Sequence, residues 1–170
     1  MKGYELWSSN GTAVGTGLVK DIYTGNQGSS PTGLTARGST VFFAAAETDG
    51  TATDVELWRS NGSPGGTSRV KDIAPGSSAS GNPTNITNAG GAIFLSASNG
   101  SQGMEPWRSD GTPGGTKQVA NIRSGAGSSD PDGFTKAGSV VYFSADDGSH
   151  GHELWKVTAG GAALVKDIAR

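Results

Sequence analysis

The chain has 170 residues, of which 33% are hydrophobic and 29 are glycine, and its formal net charge is −2. These values exclude compositional disorder, a basic nucleic-acid-binding face, and disulfide or thiolate metal sites, because cysteine is absent. No apolar run approaches the ~18 residues of a membrane-spanning helix, so we expect neither a nucleic-acid partner nor membrane insertion.

In chain order, the sequence alternates two kinds of strand hairpin. One kind begins with Glu-x-Trp, turns at Asn-Gly or Asp-Gly, and ends with Val-x-x-Ile, whereas the other runs from a Pro-Thr-Gly-Leu-Thr string to an apolar-aromatic strand. Short runs of Val, Ile, Phe and Trp between Gly, Asn and Ser residues are typical of strands joined by tight turns. The Glu-x-Trp triplets recur about fifty residues apart, at Glu5, Glu56, Glu105 and Glu153.

Four antiparallel strands in about fifty residues match the size of one β-propeller blade. We therefore predict an all-β fold of four-stranded blades, with fourteen strands and about 3.5 repeats per chain. The predicted segments are an orphan outer hairpin, or half blade, at residues 1–25, and complete blades at 26–74, 75–123 and 124–170.

The half blade makes the predicted ring incomplete, because propellers typically need at least about four blades to close. The chain is then a fragment of a longer array, a unit that closes a ring with copies of itself, or an engineered or ancestral-like half-propeller. We expect self-association into a homo-oligomer and favour a dimer, since exposed sheet faces and strand edges are avoided by soluble proteins.

The side chains that recur in every repeat are expected to be structural. Tandem sheets bury their faces against their neighbours, so each tryptophan is predicted to lie in the core between blades. Each repeated glutamate is predicted to be a buried or turn-satisfying carboxylate, because a catalytic acid is normally unique in a chain. The alternative assigns one sugar-stacking platform to each repeat, at Trp7, Trp58, Trp107 and Trp155.

One loop concentrates residues that can ligate a metal. Carboxylates with loop carbonyls suit Ca²⁺, and paired imidazoles suit Zn²⁺. The alternative is a solvated polar loop with no metal, and we expect no other cofactor. The candidate ligands are Asp146, Asp147, His150 and His152.

The string from Glu5 to Thr12, Glu-Leu-Trp-Ser-Ser-Asn-Gly-Thr, resembles the ELWxxDGT repeat of bacterial proteins. The copy at Glu105 keeps Asp-Gly-Thr but has Pro106 in place of leucine, and the copy after Trp155 lacks the turn motif. The resemblance implies propeller-like blades and a secreted or cell-surface setting in the parent protein, although we expect no signal peptide in the first residues of this sequence. It implies no reaction.

These observations favour a non-catalytic repeat module that acts as a self-assembling scaffold or as a binding domain for a glycan or a surface protein. An enzyme is not expected, because a nucleophile–base pair needs a histidine or thiol beside the nucleophile and both histidines lie in one loop. The alternatives are a multivalent lectin with one weak site per blade and, less favoured, a hydrolase fragment.

Overall fold

The computed structural model describes residues 3–48, 53–76 and 79–168. These residues contain no helix and form fourteen strands in four antiparallel sheets, which confirms the all-β prediction. One two-stranded sheet is followed along the chain by three four-stranded sheets, each with its strands in chain order. Within the described ranges no sheet closes on itself and the sheets do not form a ring.

The two-stranded sheet, here the N-terminal hairpin, consists of β1 (Leu6–Ser9) and β2 (Thr16–Lys20). Sheet 1 consists of β3 (Thr32–Arg37), β4 (Thr40–Thr48), β5 (Thr53–Ser60) and β6 (Ser68–Lys71). Sheet 2 consists of β7 (Thr84–Ala89), β8 (Ala92–Ala97), β9 (Glu105–Ser109) and β10 (Lys117–Gln118). Sheet 3 consists of β11 (Asp132–Ala137), β12 (Val140–Asp146), β13 (His152–Thr158) and β14 (Gly161–Lys166).

The central strand pair has the same register in the three larger sheets. Phe43 lies opposite Trp58 in sheet 1, and the corresponding residues lie opposite each other in sheets 2 and 3. Because successive side chains point to opposite faces of a strand, Leu57 and Trp58 lie on different faces. We call these the leucine face and the tryptophan face, and the same names apply to every sheet.

The first strand of each larger sheet contains a bulge at one position. Register shifts occur between Thr32 and Thr35 and at the equivalent places in β7 and β11. Gly33 there has a φ of 66°, and Asn85 holds the same position with a φ of 52°. Glycine adopts this left-handed conformation without steric cost, and asparagine tolerates it better than most residues. The Pro-Thr-Gly-Leu-Thr string is therefore a bulge sequence.

The core is divided into three layers, one between each pair of neighbouring sheets. In every layer, the leucine face of one sheet packs against the tryptophan face of the next, as expected for tandem units that bury their faces on one another. The first layer contains Leu6, Val19, Ile22, Phe43, Ala45 and Trp58. The second contains Phe42, Leu57, Val70, Ile73, Leu95 and Trp107 among others. The third contains Phe94, Phe134, Phe143 and Ala145, with Val119, Ile122 and Trp155 at its margin.

The last hairpins of sheets 2 and 3 depart from the common pattern. Strand β10 has only two residues, although the Val119 N–H still donates to the Pro106 carbonyl at 2.7 Å. In sheet 3, Thr158 pairs directly with Gly161, so the longer Asn-Gly turn of the other repeats is replaced by a tight one. Both departures fall where the sequence repeat is weakest.

Candidate functional site

Each repeat has a buried glutamate two residues before its tryptophan, within the tryptophan-bearing strand or directly before it. In sheet 1 this residue is Glu56, which is fully buried. Its carboxylate accepts hydrogen bonds from the backbone N–H groups of Ile73, Ala74 and Gly81, at 2.9, 3.1 and 2.9 Å. The first two donors follow β6, whereas Gly81 precedes the first strand of sheet 2, so one carboxylate ties two sheets together. Burial raises the pKa of Glu56 to about 7, against the lowering effect of the three N–H donors.

The other glutamates have the same role. Glu5 and Glu105 accept equivalent backbone hydrogen bonds and also a hydroxyl hydrogen bond from Ser29 and Ser129, respectively. Glu153 accepts the N–H of Ile168 at 3.0 Å. These contacts confirm the prediction of a buried carboxylate that satisfies backbone donors. Ser29, Gly81 and Ser129 hold the same position, two residues before the proline that precedes the first strand of each larger sheet. Gly81 is the one of the three that has no hydroxyl to donate.

The Asn-Gly and Asp-Gly strings form a larger turn that is closed by side chains. Asp110 Oδ1 accepts both the N–H and the hydroxyl of Thr112, at 2.8 and 2.7 Å, and these bonds lower the pKa of Asp110. Gly115 is required because an added Cβ would lie about 2.0 Å from the Asp110 side chain. The turns at Asn10 and Asn61 repeat this arrangement. The motif therefore builds a rigid turn whose polar atoms bind one another.

The structure places the four tryptophans in different environments. Trp58 and Trp107 are buried between sheets, and Trp155 is half-buried. Their indole faces are covered, so a sugar ring cannot stack on Trp58 or Trp107, which corrects the alternative of one sugar platform per repeat. Trp7 differs, with 58% of its surface exposed, because none of the described sheets lies against the tryptophan face of the N-terminal hairpin.

A lysine contact between neighbouring sheets accompanies the apolar layers. Lys20 Nζ donates to the Thr67 carbonyl at 2.8 Å, and Lys71 Nζ donates to the Thr116 carbonyl at 2.9 Å. In each case the lysine follows the valine of Val-Lys-Asp-Ile, and the threonine ends the turn of the next repeat. Between sheets 2 and 3 this position is Ala120, and the turn with its threonine is absent as well. The sequence analysis did not predict this contact. The lysine and the threonine are lost together at one boundary, and this joint loss was a signal that they are partners.

The leucine face of sheet 3 is left uncovered at the other end of the stack. Its residues lie at the positions that Leu57, Val70 and Ile73 occupy in sheet 1, where at most 2% of each residue is exposed. In sheet 3 the exposed fractions rise to 40%, 44% and 67% at Leu154, Val165 and Ile168, respectively. The stack therefore ends in an open leucine face and begins with an open tryptophan face.

The predicted metal loop does not converge on one point. Asp147 pairs with His150, with 2.8 Å between Oδ2 and Nδ1, and this contact lowers the pKa of Asp147 and raises that of His150. Asp146 instead forms an ion pair with Arg123 at 3.0 Å. His152 lies in β13, where Nδ1 is 3.5 Å from the Ser144 hydroxyl.

A different acidic group comes together in sheet 1. Among the described residues, it is the one set of three or more potential ligands whose atoms approach within 4.8 Å of one another, and it consists of Asp54, Glu56 and Asp72. Arg69 lies 3.0 Å from Asp54 and 3.9 Å from Asp72, and backbone N–H groups surround Glu56. The cluster is thus partly neutralised by the chain itself.

Searches of protein-family models, of curated proteins and of solved structures gave no match to this chain. The resemblance to the ELWxxDGT repeat and the secreted or surface setting that it implies therefore stay predictions. The described residues include no helix that is long and apolar enough to cross a membrane.

Proposed function

We propose that this chain is a non-catalytic repeat scaffold whose copies join end to end through their open sheet faces. One observation carries the proposal. The open leucine face of sheet 3 and the open tryptophan face of the N-terminal hairpin are the two halves of a contact that the chain makes three times internally. A second copy supplies to each end the half that it lacks.

The apolar part of the joint follows from the internal layers. Trp58 packs against Leu6, Val19 and Ile22 of the preceding hairpin. Leu154, Val165 and Ile168 are the same three residue types at the same positions of sheet 3. Burying exposed apolar surface stabilises association by about 25 cal/mol per Å² before ordering costs are counted. Trp7 of one copy therefore fits the leucine face of sheet 3 of another.

A polar contact supports the same pairing and gives it a direction. Lys166 corresponds to Lys20 and Lys71 in the Val-Lys-Asp-Ile string, and its Nζ has no hydrogen-bond or ion-pair partner among the described residues. Thr16 corresponds to Thr67 and ends the turn of the N-terminal hairpin. In the joint, Lys166 Nζ donates to the Thr16 carbonyl of the next copy. Two identical ends cannot make this contact, so the joint is head to tail.

The stoichiometry follows from the number of stacked sheets. Each copy contributes four sheets, so two copies provide eight positions, which lies within the typical range of about four to eight propeller blades. A head-to-tail contact produces a ring if its rotation closes and a filament if it does not. We therefore propose a dimeric ring in which two of the eight positions hold only a hairpin.

The assembly mass tests the proposal. Size-exclusion chromatography with light scattering on the full chain at micromolar concentration is expected to give a dimer. Ile168→Asp and Trp7→Ser should each shift it to monomer without unfolding it, because both residues are largely exposed within one copy. Val14→Asp is the matched control, since Val14 is fully exposed and lies on neither face. A monomeric wild-type chain, or a Val14→Asp variant that dissociates equally, would overturn the proposal.

Mixing variants tests the direction of the joint. Trp7→Ser chains keep an intact leucine face, and Ile168→Asp chains keep an intact tryptophan face. Head-to-tail pairing predicts that each variant alone is monomeric and that the mixture forms an open dimer through one intact joint. If Trp7→Ser chains dimerise alone, leucine faces meet each other and the head-to-tail arrangement is wrong.

A further inference from the structure

The N-terminal hairpin has an unpaired strand edge inside the repeat pattern. In sheet 1, β5 is hydrogen-bonded to β6 on one side and to β4 on the other, with pairs from Val41↔Ser60 to Thr48↔Thr53. Strand β1 is the counterpart of β5, and within the described ranges it pairs with β2 alone. Its other edge presents backbone N–H and C=O groups where the other sheets hold a second strand.

A side chain on the neighbouring sheet marks the same gap independently. Leu34, Ile86 and Phe134 occupy one position in β3, β7 and β11. Ile86 and Phe134 are only 7% and 3% exposed, whereas Leu34 is 56% exposed. Phe134 stacks on Phe94 of the preceding sheet, with ring centroids 5.6 Å apart. Leu34 lacks such a cover because the preceding sheet is the N-terminal hairpin, in which the described residues form no counterpart of β3 or β4.

The backbone of the first strands shows how a cover would attach. The Thr35 hydroxyl in β3 donates to the Ile86 carbonyl in β7 at 2.6 Å. The Leu34 carbonyl in β3 is the equivalent, one sheet earlier, of the Ile86 carbonyl in β7. A preceding strand that contains threonine at the place of Thr35 would therefore find an acceptor there.

We infer that this gap is a binding site for a β-hairpin of the chain's own β3–β4 type, supplied by another segment of this repeat sequence. Its second strand would extend the N-terminal hairpin by pairing with the edge of β1, as in recognition by strand addition. Its aromatic side chain, at the position of Phe42 and Phe94, would cover Leu34. Two features of the gap, the strand edge and the uncovered leucine, thus require the same occupant.

A peptide of residues 26–48, which contains β3 and β4, is the direct probe. The chain has no cysteine, so a Leu34→Cys variant carries a single thiol whose labelling rate reports its exposure. The peptide is expected to slow this labelling by about tenfold, and to slow amide exchange in β1. It should leave the labelling of a Val14→Cys variant unchanged, because Val14 lies away from the gap.

Two controls make the result specific. A peptide with Phe43→Pro should not protect, because proline removes a donor from the pairing strand. The second control is a fused chain, which avoids dependence on an isolated hairpin. In it, a copy of residues 82–104, which contain β7, β8 and the loop to Glu105, replaces residues 1–4 directly before Glu5. The Leu34→Cys thiol of this fused chain should be protected without added peptide.

Unchanged thiol labelling and unchanged β1 amide exchange in the fused chain would overturn the inference. The hairpin site is independent of end-to-end assembly, because the gap and the two open faces are separate surfaces. An Ile168→Asp chain that is monomeric should still bind the peptide. Conversely, a wild-type chain that is monomeric but binds the peptide would refute the proposed assembly and support the hairpin site.

Discussion

Replacing Gly81 by serine should change how stability depends on pH. Gly81 stands where Ser29 and Ser129 stand in the equivalent lead-ins, and its φ is not positive, so serine fits the backbone. Its hydroxyl would add to Glu56 the donor that Glu5 and Glu105 already have. An added Cβ would lie 2.8 Å from Glu56 Oε2 and 3.0 Å from Ile73 Cβ, so the carboxylate must shift slightly.

The size of the change in unfolding free energy follows from the pKa of Glu56, which burial raises from its ordinary value of 4.5 to about 7. Between these two pH values the folded chain binds more protons than the unfolded chain, so the free energy of unfolding falls as pH rises. The loss is about 3 kcal/mol and is complete above pH ~7. A hydrogen bond to a charged group contributes about 1.5–3 kcal/mol. After the cost of the shift, Gly81→Ser should stabilise by about 1–2 kcal/mol at pH ~8 and by much less at pH ~4.

Urea unfolding followed by tryptophan fluorescence at both pH values measures the effect. All variants are made in the monomeric Ile168→Asp background, so that assembly does not make the measured stability depend on protein concentration. Gly81→Ala is the matched control, because it adds the Cβ without the hydroxyl and should keep the wild-type pH dependence. A Gly81→Ser variant that retains the full loss of stability between pH ~4 and ~8, or a Gly81→Ala variant that removes it equally, would refute the assignment of this loss to Glu56.

Three further outcomes can be checked. Trp58→Ala should lower the free energy of unfolding by about 3–5 kcal/mol, whereas Trp7→Ala in the monomeric background should lower it far less. Equal losses in urea titrations would contradict the placement of Trp58 in the core and of Trp7 on an open face. Asp147→Asn should lower the pKa of His150, because it removes the carboxylate that raises it; an unchanged NMR titration would show that the pair is absent. Zinc or calcium added to EDTA-treated protein should leave the melting temperature unchanged, because Asp146 is paired with Arg123 and Asp147 with His150. A rise in melting temperature that is lost in a double histidine variant would support a metal site.

The local structure could be predicted from the sequence because each repeat carries its own strand and turn signals. Alternating apolar residues with Asn-Gly or Asp-Gly turns indicated the hairpins, and fourfold repetition of a glutamate indicated a structural role. What could not be predicted is which copies lack neighbours. Trp7 and Trp58 have the same local sequence pattern, but their exposure differs because only Trp58 has a sheet packed against it.

The metal candidates show that closeness in the sequence does not predict closeness in space. Asp146 and Asp147 are adjacent, yet they bind different partners, because Asp146 ends β12 and contacts Arg123 whereas Asp147 begins the loop and contacts His150. Asp54, Glu56 and Asp72 come together although Asp72 is distant in sequence, because β5 and β6 are paired. The contact of Lys20 with Thr67 joins residues still farther apart and depends on how one sheet stacks on the next.

The glutamate hydrogen bonds that cross sheet boundaries have a consequence for unfolding. If sheet 2 detached, Glu56 would lose the Gly81 N–H while its bonds to Ile73 and Ala74 remained. A carboxylate with fewer donors in an apolar layer is costly, so partial unfolding at one boundary also penalises the sheet left behind. Nearest-neighbour coupling of this kind makes a repeat array unfold cooperatively. The chain should therefore melt in one transition, instead of losing its sheets one by one from either end.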